Sequence, residues 1–419
     1  MTVRWIGALT LAMACAAALP RAAHAQDEHK ADARTDRLAG FTAHDLALIE
    51  PYLAWGPVSL IEFADTDADE LPGIHIATRI RASAAQVAAL IDKPGDYPRY
   101  MRTLDEVTRV ERRGGAQAYD WRWGVGPFDL GGRNVMTSLA PPPERAEQGY
   151  RFVVDSQSGD FGVGRMVMRV LPRGAQASVL LVSMRLDLRR SNYLARRMAR
   201  AARSINRTAN MSLAYAMVLS FRREAERVAG ATPVTTHDAS FAKPEVKARK
   251  LAGLLDRGDL LLMRMAGDQL EQIAVFGLIY RERSLVRDLM LDANAFGSAL
   301  VPGSGAQVVE RDGRLTTFDW SIDLPLIGTS GRMQMHDDDP LLRIEAVDGA
   351  LRGGRWHFET WPASKRTTFV AGWARFDVTD STWLVRALAN ADPYLGHGMT
   401  AASEVMLVRA LRKRANDAD

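Results

Sequence analysis

The chain contains one long internal repeat, which limits its possible folds more than any other feature. Residues 119–133, YDWRWGVGPFDLGGR, and residues 318–332, FDWSIDLPLIGTSGR, both place Asp-Trp after an aromatic residue and end in Gly-Arg. The same offset of 199 residues aligns the chain without a gap from about residue 76 to residue 136. A period near two hundred residues is far too long for a solenoid unit, so each copy is predicted to be a whole domain.

Beyond residue 136 the offset falls to 190, where Gly164-Arg165 aligns with Gly354-Arg355. The first copy therefore carries nine extra residues, which fit a longer loop near residues 140–149, APPPERAEQG. The two copies are predicted to span residues 26–230 and 244–419. The linker between them, residues 231–243, is rich in small and turn-forming residues.

The first 25 residues have the pattern of a secretory signal peptide. A basic start at Arg4 precedes an uncharged apolar run, and Ala23-His24-Ala25 forms a small-x-small cleavage site before Gln26. We therefore expect a periplasmic protein. The alternative is a lipoprotein anchored through Cys15, because LAMAC loosely resembles a lipobox.

Cleavage after Ala25 removes the single cysteine, so the mature protein is expected to depend on packing rather than disulfides. It also removes Arg4 and Arg21 and no acidic residue, which lowers the formal charge from +4 to +2. A charge this small does not indicate a nucleic-acid partner. The longest later apolar run, residues 211–221, is too short to span a bilayer.

Each copy shows the same order of predicted elements: a strand, short helices, a meander of about six strands and a long C-terminal helix. The first copy opens with a capping-box helix start at Thr42 and Asp45. Its closing helix is predicted at about residues 193–228. The second copy is predicted to open with a helix at residues 244–255. Its last helix, residues 381–414, is predicted to break near Pro393 and Gly396.

This order, together with the stretch DYPRYM at residues 96–101, resembles the START/polyketide-cyclase superfamily, whose domains have the helix-grip fold. The second copy has AFGSAL at the equivalent place. The resemblance implies an α+β protein of tandem helix-grip domains, each an antiparallel sheet wrapped around a long C-terminal helix. Such domains enclose an apolar cavity and typically bind lipids, sterols or polyketides, while a minority are enzymes.

Aromatic residues on the repeated strand are the candidate ligand contacts. Side chains alternate along a strand, so Trp121 and Trp123 share the face that is expected to point inward. Trp320 is the counterpart of Trp121 in the second copy, and the same offset aligns Tyr97 with Phe296. A tryptophan on a strand is also a common core residue, and that interpretation stays open for each of them.

Arg133 and Arg332 are the candidate polar ligand contacts. A hairpin between the two halves of each repeated stretch would place Arg133 opposite Asp120, and Arg332 opposite Asp319. Such a pair could hold a ligand hydroxyl group inside the cavity. Alternatively it lies on the outer face and helps to fix the strand register. Strand alternation favours the outer face, because each Asp precedes an inward Trp.

The segment 189–207 holds seven arginines and no acidic residue. Arg196, Arg197, Arg200 and Arg203 are the candidates for contact with an anionic membrane, where each basic residue adds about 1 kcal/mol of attraction. The simpler interpretation is a solvated helix face.

Catalytic and cofactor motifs are scarce. The chain has no G-x-S-x-G and no H-E-x-x-H motif, and the acidic run HDDD at residues 336–339 is better explained as a turn than as a metal site. We therefore expect no cofactor and favour a binding or transfer protein for a lipid or other apolar molecule. The alternatives are an aromatase/cyclase-like enzyme and a scaffold whose cavities are filled by its own side chains.

Overall fold

The strands of both repeats form one continuous antiparallel sheet in the computed structural model of the protein. The structure describes residues 38, 40–63, 73–125, 128–160, 164–186, 196, 203–232, 241–294, 304–324 and 327–418. The chain divides into two units after Ala39, and the described residues from Gly40 onward form one compact unit. Residues 233–240 are not among them, so the linker at 231–243 stays a prediction.

Each repeat contributes eight described strands to the sheet. The strands of the first repeat are β1 (Val58–Glu62), β2 (Ile74–Ile80), β3 (Leu104–Arg113), β4 (Ala116–Val125), β5 (Phe128–Leu139), β6 (Tyr150–Gly159), β7 (Gly164–Pro172) and β8 (Ser178–Leu186). The strands of the second repeat are β9 (Gly258–Ala266), β10 (Gln269–Ile279), β11 (Ser304–Asp312), β12 (Leu315–Leu324), β13 (Ile327–Asp338), β14 (Leu341–Gly349), β15 (Arg355–Ser364) and β16 (Thr367–Arg375).

Each repeat has one long described helix, of 26 residues in the first and 25 in the second, and shorter ones before it. The described α-helices are α1 (Ala43–Ile49), α2 (Ala84–Ile91), α3 (Arg203–Val228), α4 (Ala252–Leu255), α5 (Arg283–Leu291), α6 (Trp383–Ala391) and α7 (Pro393–Asp417). Short 3-10 turns lie at Glu50–Ala54, Pro94–Arg99, Pro143–Gln148, Ala248–Lys250 and Val378–Asp380.

The strand order gives the sheet an internal pseudo-twofold arrangement. From one edge to the other it runs β11-β12-β13-β14-β15-β16-β10-β9, then β1-β2-β8-β7-β6-β5-β4-β3. The two halves meet where β1 pairs antiparallel with β9, with Leu60 opposite Leu260. In each half the long helix, α3 or α7, packs on the sheet. The fold is therefore α+β with tandem helix-grip units, as the sequence predicts.

The two long helices also pack against each other, and their backbones come close at Gly398. A Cβ atom on Gly398 would lie 2.3 Å from the Cα atom of Ser212 on α3. That distance is far inside van der Waals contact, so only glycine fits here. The β1–β9 pairing and this helix crossing together make the two repeats one packed body.

Both faces of the sheet are buried at the β1–β9 junction. On one face, side chains such as Ile61 and Met263 join the core beneath α3 and α7. On the other face, Leu60 and Leu260 pack with Ile49 of α1. A strand buried on both faces has an unbroken apolar sequence instead of an alternating one.

Three charged side chains cross-link the junction of the repeats. Asp259 on β9 is fully buried and accepts a hydrogen bond of 2.8 Å from the Nε atom of Arg409 on α7. Arg412 donates to the other carboxylate oxygen of Asp259. Arg409 also donates, at 2.9 Å, to the carbonyl oxygen of Ile61 on β1. The cluster therefore joins the last helix to strands of both repeats.

The structure corrects the predicted element order at the start of each repeat. Strands β1 and β9 were not predicted, so each repeat has eight strands rather than about seven. Residues 244–255, predicted to be one helix, hold only a 3-10 turn and the single-turn α4. Helix α3 is described from Arg203 onward; of residues 193–202, only Arg196 is described, and it is helical, so the predicted start of this helix near residue 193 stays a prediction.

Other predicted details are confirmed. Thr42 and Asp45 form a capping box at the start of α1. The extra residues of the first repeat form a 3-10 turn between β5 and β6. The last helix breaks at Asp392, whose side chain caps α7, with Pro393 at the first position of that helix. Within the described part of the chain, no helix has the length and apolarity needed to cross a membrane.

Candidate functional site

The first repeat has a cavity of about 100 Å³ between its sheet and helix α3. Helix α3, six neighbouring strands and the turn after α2 all contribute to its wall. The lining residues are Tyr97, Met101, Leu104, Val107, Tyr119, Trp121, Trp123, Asn134, Val154, Ser156, Gly164, Arg165, Met166, Met168, Met184, Leu186, Leu213, Met217 and Phe221. The wall is thus almost entirely apolar.

Aromatic rings form part of the wall of this cavity. Trp121 and Trp123 project from β4, and Tyr97 reaches in from the 3-10 turn at Pro94–Arg99. The ring of Tyr97 meets that of Phe221 on α3 edge to face, with 5.3 Å between centroids. The Tyr97 hydroxyl donates a 2.5 Å hydrogen bond to the carbonyl oxygen of Ile91, which satisfies its polar end. Tyr97, Trp121 and Trp123 therefore lie where the sequence predicts ligand contacts.

Few polar groups face the cavity. The amide of Asn134 donates a long hydrogen bond of 3.5 Å to the Tyr119 hydroxyl. Burial raises the pKa of Tyr119 to about 12, although the Asn134 amide offsets part of the rise. The Arg165 guanidinium donates two hydrogen bonds to Asp155, of 2.6 and 3.0 Å. The Tyr119 phenol thus stays protonated across the physiological pH range.

Five methionines give the rest of the wall an adaptable surface; they are Met101, Met166, Met168, Met184 and Met217. A thioether side chain is unbranched and can change rotamer at low cost, so such a wall adjusts to the shape of a bound molecule. The volume of about 100 Å³ therefore belongs to one set of rotamers of these methionines.

The corresponding region of the second repeat is described only in part, because residues 295–303, which align with residues 96–104 of the first repeat, are not among the described residues. Among the described residues, a void of about 10 Å³ lies between the sheet and α7. The Trp356 ring stacks on that of Phe376 with 4.9 Å between centroids and 28° between planes. Trp320 packs partly buried against the same core, and its indole lies over Gly331 of the neighbouring strand. Trp320 thus packs against the described core, and its predicted role in ligand contact stays a prediction.

Arg133 and Arg332 lie away from the cavity, contrary to their selection as ligand contacts. Arg133 is paired with Asp120 across β4 and β5, and its Nη1 atom donates a 2.8 Å hydrogen bond to that carboxylate. Arg332 donates to Asp319 in the same way, at 2.7 Å from its Nε atom. Strand alternation explains the placement, because both pairs share the face opposite to Trp121 and Trp320.

The remaining candidates fall largely outside the described part of the chain. Phe296, Arg197 and Arg200 are not described, and for Arg203 only the backbone is. Arg196 is described as a partly buried helical residue. Their predicted roles in ligand and membrane contact stay predictions.

A buried polar cluster on the other face of the sheet was not recognised from the sequence. His75 on β2 has its Nδ1 atom 2.9 Å from the Ser183 hydroxyl and its Nε2 atom 2.9 Å from the Glu62 carboxylate. Serine, histidine and acid occur together in hydrolases, but His75 is wholly buried beneath Phe41 and Gly40. A substrate cannot reach it, so the cluster fills a structural role.

A second missed group is Glu404 on α7, which is fully buried in the core of the second repeat. Neither carboxyl oxygen makes a hydrogen bond of ordinary geometry to a described residue. Burial raises the pKa of Glu404 to about 8, although the Trp356 indole offsets part of the rise. The side chain is therefore a neutral acid at pH 7. The helical position of Glu404 is the only sequence signal, and it did not reveal the burial.

No group of histidine, aspartate or glutamate side chains within the described ranges has the arrangement needed to hold a metal ion. The HDDD run at residues 336–339 is instead used in ion pairs. Arg287 on α5 is paired with Asp337 and lies 3.3 Å from Asp339. The acidic run thus anchors α5 to the end of β13.

No protein-family model matches the chain, and no curated protein gives a significant match. Similar solved structures include the di-domain ARO/CYC StfQ from the steffimycin biosynthetic pathway, at 11% identity and a TM-score of 0.28, over 82% of this chain and 98% of that chain. Another is a START superfamily protein from Mycobacterium smegmatis, at 11% identity and a TM-score of 0.29, over 37% and 98%. A third is a STAR-related lipid transfer protein from Xanthomonas axonopodis, at 11% identity and a TM-score of 0.27, over 32% and 77%. At such scores, the fold assignment rests on the strand order and helix packing of this chain itself.

Proposed function

We propose that this protein binds and carries an apolar small molecule or lipid, held in the first repeat between the sheet and α3. The observation that carries the proposal is the cavity of about 100 Å³ with an aromatic and methionine wall. Ligand sites are typically concave and mostly apolar, with a few polar groups that fix orientation. Asn134, Ser156 and Arg165 would supply those groups here.

The lining residues favour binding over catalysis. The described lining contains no carboxyl, imidazole, amine or thiol group, and these are the usual general acids, bases and nucleophiles. Burial raises the pKa of both lining tyrosines, Tyr97 and Tyr119, which makes their phenols weaker acids. An aromatase/cyclase-like reaction would have to proceed without a group that titrates near neutral pH.

The proposal assigns unequal roles to the two repeats. The first would hold the ligand, while the second, in which the void between the described parts of the sheet and α7 is about 10 Å³, would serve as a support. This arrangement combines the carrier hypothesis for one repeat with the filled-scaffold hypothesis for the other.

The proposal places the carrier in the periplasm, after cleavage of the signal peptide at Ala25. An apolar cargo needs a protein to cross an aqueous compartment between membranes. The arginine-rich segment around Arg196 would dock the carrier on an anionic lipid surface during loading or release.

The direct test is native mass spectrometry of the protein isolated from the periplasm of its own host, followed by extraction of whatever is bound. We expect one apolar molecule per chain. A protein that is empty, and stays empty after incubation with host lipids, would refute the carrier function. The intact mass decides the targeting prediction as well, because cleavage after Ala25 and lipidation at Cys15 give chains of different mass.

A further inference from the structure

The strand pairings establish which residues of the two repeats are equivalent around the cavity. Met166 on β7 lies opposite Met184 on β8, and Trp356 on β15 lies opposite Ala374 on β16. Both members of the second pair are 190 residues further along the chain. Trp356 therefore occupies the position of Met166. The same relation makes Phe376 the equivalent of Leu186.

The second repeat has aromatic rings at two positions where the first repeat has the cavity-lining residues Met166 and Leu186. The indole of Trp356 takes the place of a thioether and stacks on the phenyl ring of Phe376, which takes the place of a leucine. Ala374, opposite Trp356, is smaller than the Met184 of the first repeat and leaves room for the indole.

We propose that the ligand of the first repeat carries a planar aromatic group of one or two rings, bound where the Trp356 indole lies in the second repeat. This inference rests on the proposed function, because it specifies the chemical class of molecule that the same cavity would carry. The second repeat then shows the first in its occupied form, with a side chain in place of the ligand.

The wall of the first cavity suits a flat ring better than a puckered or linear hydrocarbon. The rings of Trp121, Trp123 and Phe221 can contact a flat ring through their faces or edges. Such aromatic pairs add about 0.5–1.5 kcal/mol to the free energy gained by burying apolar area. Methionine sulfur also favours aromatic neighbours. A saturated molecule of equal size would fill the volume without these contacts.

The cavity size is consistent with a small ring system. An engineered apolar cavity of about 150 Å³ in another protein binds benzene. The present cavity of about 100 Å³ is smaller, so a ring must displace part of the wall. Met184 is the side chain to move, because its equivalent is the small residue that makes room for Trp356.

The test is calorimetric titration of the full mature chain with indole, naphthalene, decahydronaphthalene and dodecanoate. We expect indole and naphthalene to bind with one site per chain. Decahydronaphthalene, which has the carbon skeleton of naphthalene without its planarity, should bind at least tenfold more weakly, and so should dodecanoate. Met166→Trp should lower naphthalene affinity at least tenfold, because it gives the first repeat the side chain that fills the second.

Trp356→Met is the matched control and the reciprocal test. It should leave the first site unchanged and raise the stoichiometry for naphthalene from one towards two. Met166→Phe, a smaller change, replaces Met166→Trp if that variant does not fold. Undiminished naphthalene affinity in a folded Met166 variant would overturn the inference.

Equal or tighter binding of decahydronaphthalene or dodecanoate would also overturn it, while leaving the carrier function standing. If none of the four probes binds and the native protein contains no apolar molecule, both the inference and the carrier function fail.

Discussion

The indole of Trp121 on β4 lies directly over the backbone of Gly132 on β5, its cross-strand partner. Trp320 and Gly331 have the same relation in the second repeat. On the opposite face, the adjacent residues form the Asp120–Arg133 pair. The repeated Asp-Trp and Gly-Arg dipeptides therefore encode one two-sided contact: an indole on glycine inside and an ion pair outside. This contact explains why the chain contains the stretch twice.

Gly132→Ala should destabilise the protein by about 1–3 kcal/mol, the usual cost of overpacking a core. Its Cβ atom would lie 2.8 Å from the Trp121 ring and 2.5 Å from the carbonyl oxygen of Ser158. Urea denaturation measures the change. Gly131→Ala is the matched control, because its Cβ atom would come no closer than 3.4 Å to any neighbour. Equal stability of the two variants would contradict the role assigned to Gly132.

Arg133→Ala should cost less than about 1 kcal/mol, since partly exposed cross-strand ion pairs contribute little. Because Arg133 faces away from the cavity, the same variant should bind naphthalene with unchanged affinity. Calorimetric titration of the variant beside the wild-type chain checks this. A tenfold loss of affinity would restore Arg133 as a ligand contact and would show that the cavity extends to the outer face.

Much of the fold could be predicted from the sequence, because the repeat fixes the order of elements and alternation identifies the meander strands. Strands β1 and β9 were missed for a physical reason. The stretches VSLIE and GDLLLMRMA are buried on both sides, so they do not alternate. A short apolar run next to a helix start can be interpreted as either element. The missed strands are the ones that join the repeats.

The site was predictable only in part. Alternation places Trp121 and Trp123 on the inner face, where the structure has them. The position of the Trp356 indole inside the second repeat could not be predicted. Whether a cavity remains depends on a small difference between the space that many strands enclose and the volume of the side chains that fill it. That difference depends on the register of each strand and on the rotamers around it, which a sequence pattern does not contain.

Asp259→Asn should destabilise the protein by about 3–5 kcal/mol, because it leaves Arg409 and Arg412 buried without their carboxylate. Although burial alone would raise the pKa of Asp259, the guanidinium groups of Arg412 and Arg409 hold it below its usual value of 3.8. Because the pKa of Asp259 is lowered in the folded state, its ionised form stabilises the protein above pH 3.8. This stabilisation is lost as the pH falls through the folded-state pKa.

Urea denaturation of Asp259→Asn at pH 7 measures this loss. Asp319→Asn is the control, since Asp319 forms an exposed pair with Arg332 and its loss should have a much smaller effect. If the two substitutions cost the same, the charged cluster does not stabilise the junction of the repeats.

Replacing Arg196, Arg197, Arg200 and Arg203 by serine should abolish cosedimentation with vesicles that contain anionic lipid. Each arginine is expected to add about 1 kcal/mol of attraction, so losing four removes most of the affinity. Neutral vesicles should bind the wild-type protein weakly, and added salt should weaken binding to anionic vesicles.

The control is a second variant with the same loss of charge elsewhere. Arg99, Arg109, Arg112 and Arg113 are exposed residues on or before the edge strand β3, and their replacement by serine should leave vesicle binding largely intact. If both variants lose binding equally, net charge rather than the arginine-rich segment attracts the protein to lipid.

Glu404→Gln should make the stability of the protein less dependent on pH. Burial raises the pKa of Glu404 from 4.5 to about 8 in the folded state. Between these values the folded chain keeps a proton that the unfolded chain releases, so the free energy of unfolding falls as the pH rises. One proton accounts for at most about 1.4 kcal/mol per pH unit. Glu404→Gln has no carboxyl proton to release. Its free energy of unfolding should therefore rise relative to that of the wild type as the pH increases from 5 to 8.

Urea denaturation of both chains at pH 5, 6, 7 and 8 gives the comparison. Glu345→Gln, which changes a half-exposed glutamate in the same repeat, serves as the control and should follow the wild-type curve. Parallel curves for Glu404→Gln and the wild type would mean that the carboxyl group finds a partner when it ionises. A widening gap would show instead that the second repeat keeps a neutral acid beside the Trp356 indole. That result would support a tightly filled second repeat, because an ionised Glu404 needs water or a cation that this packing has no room to admit.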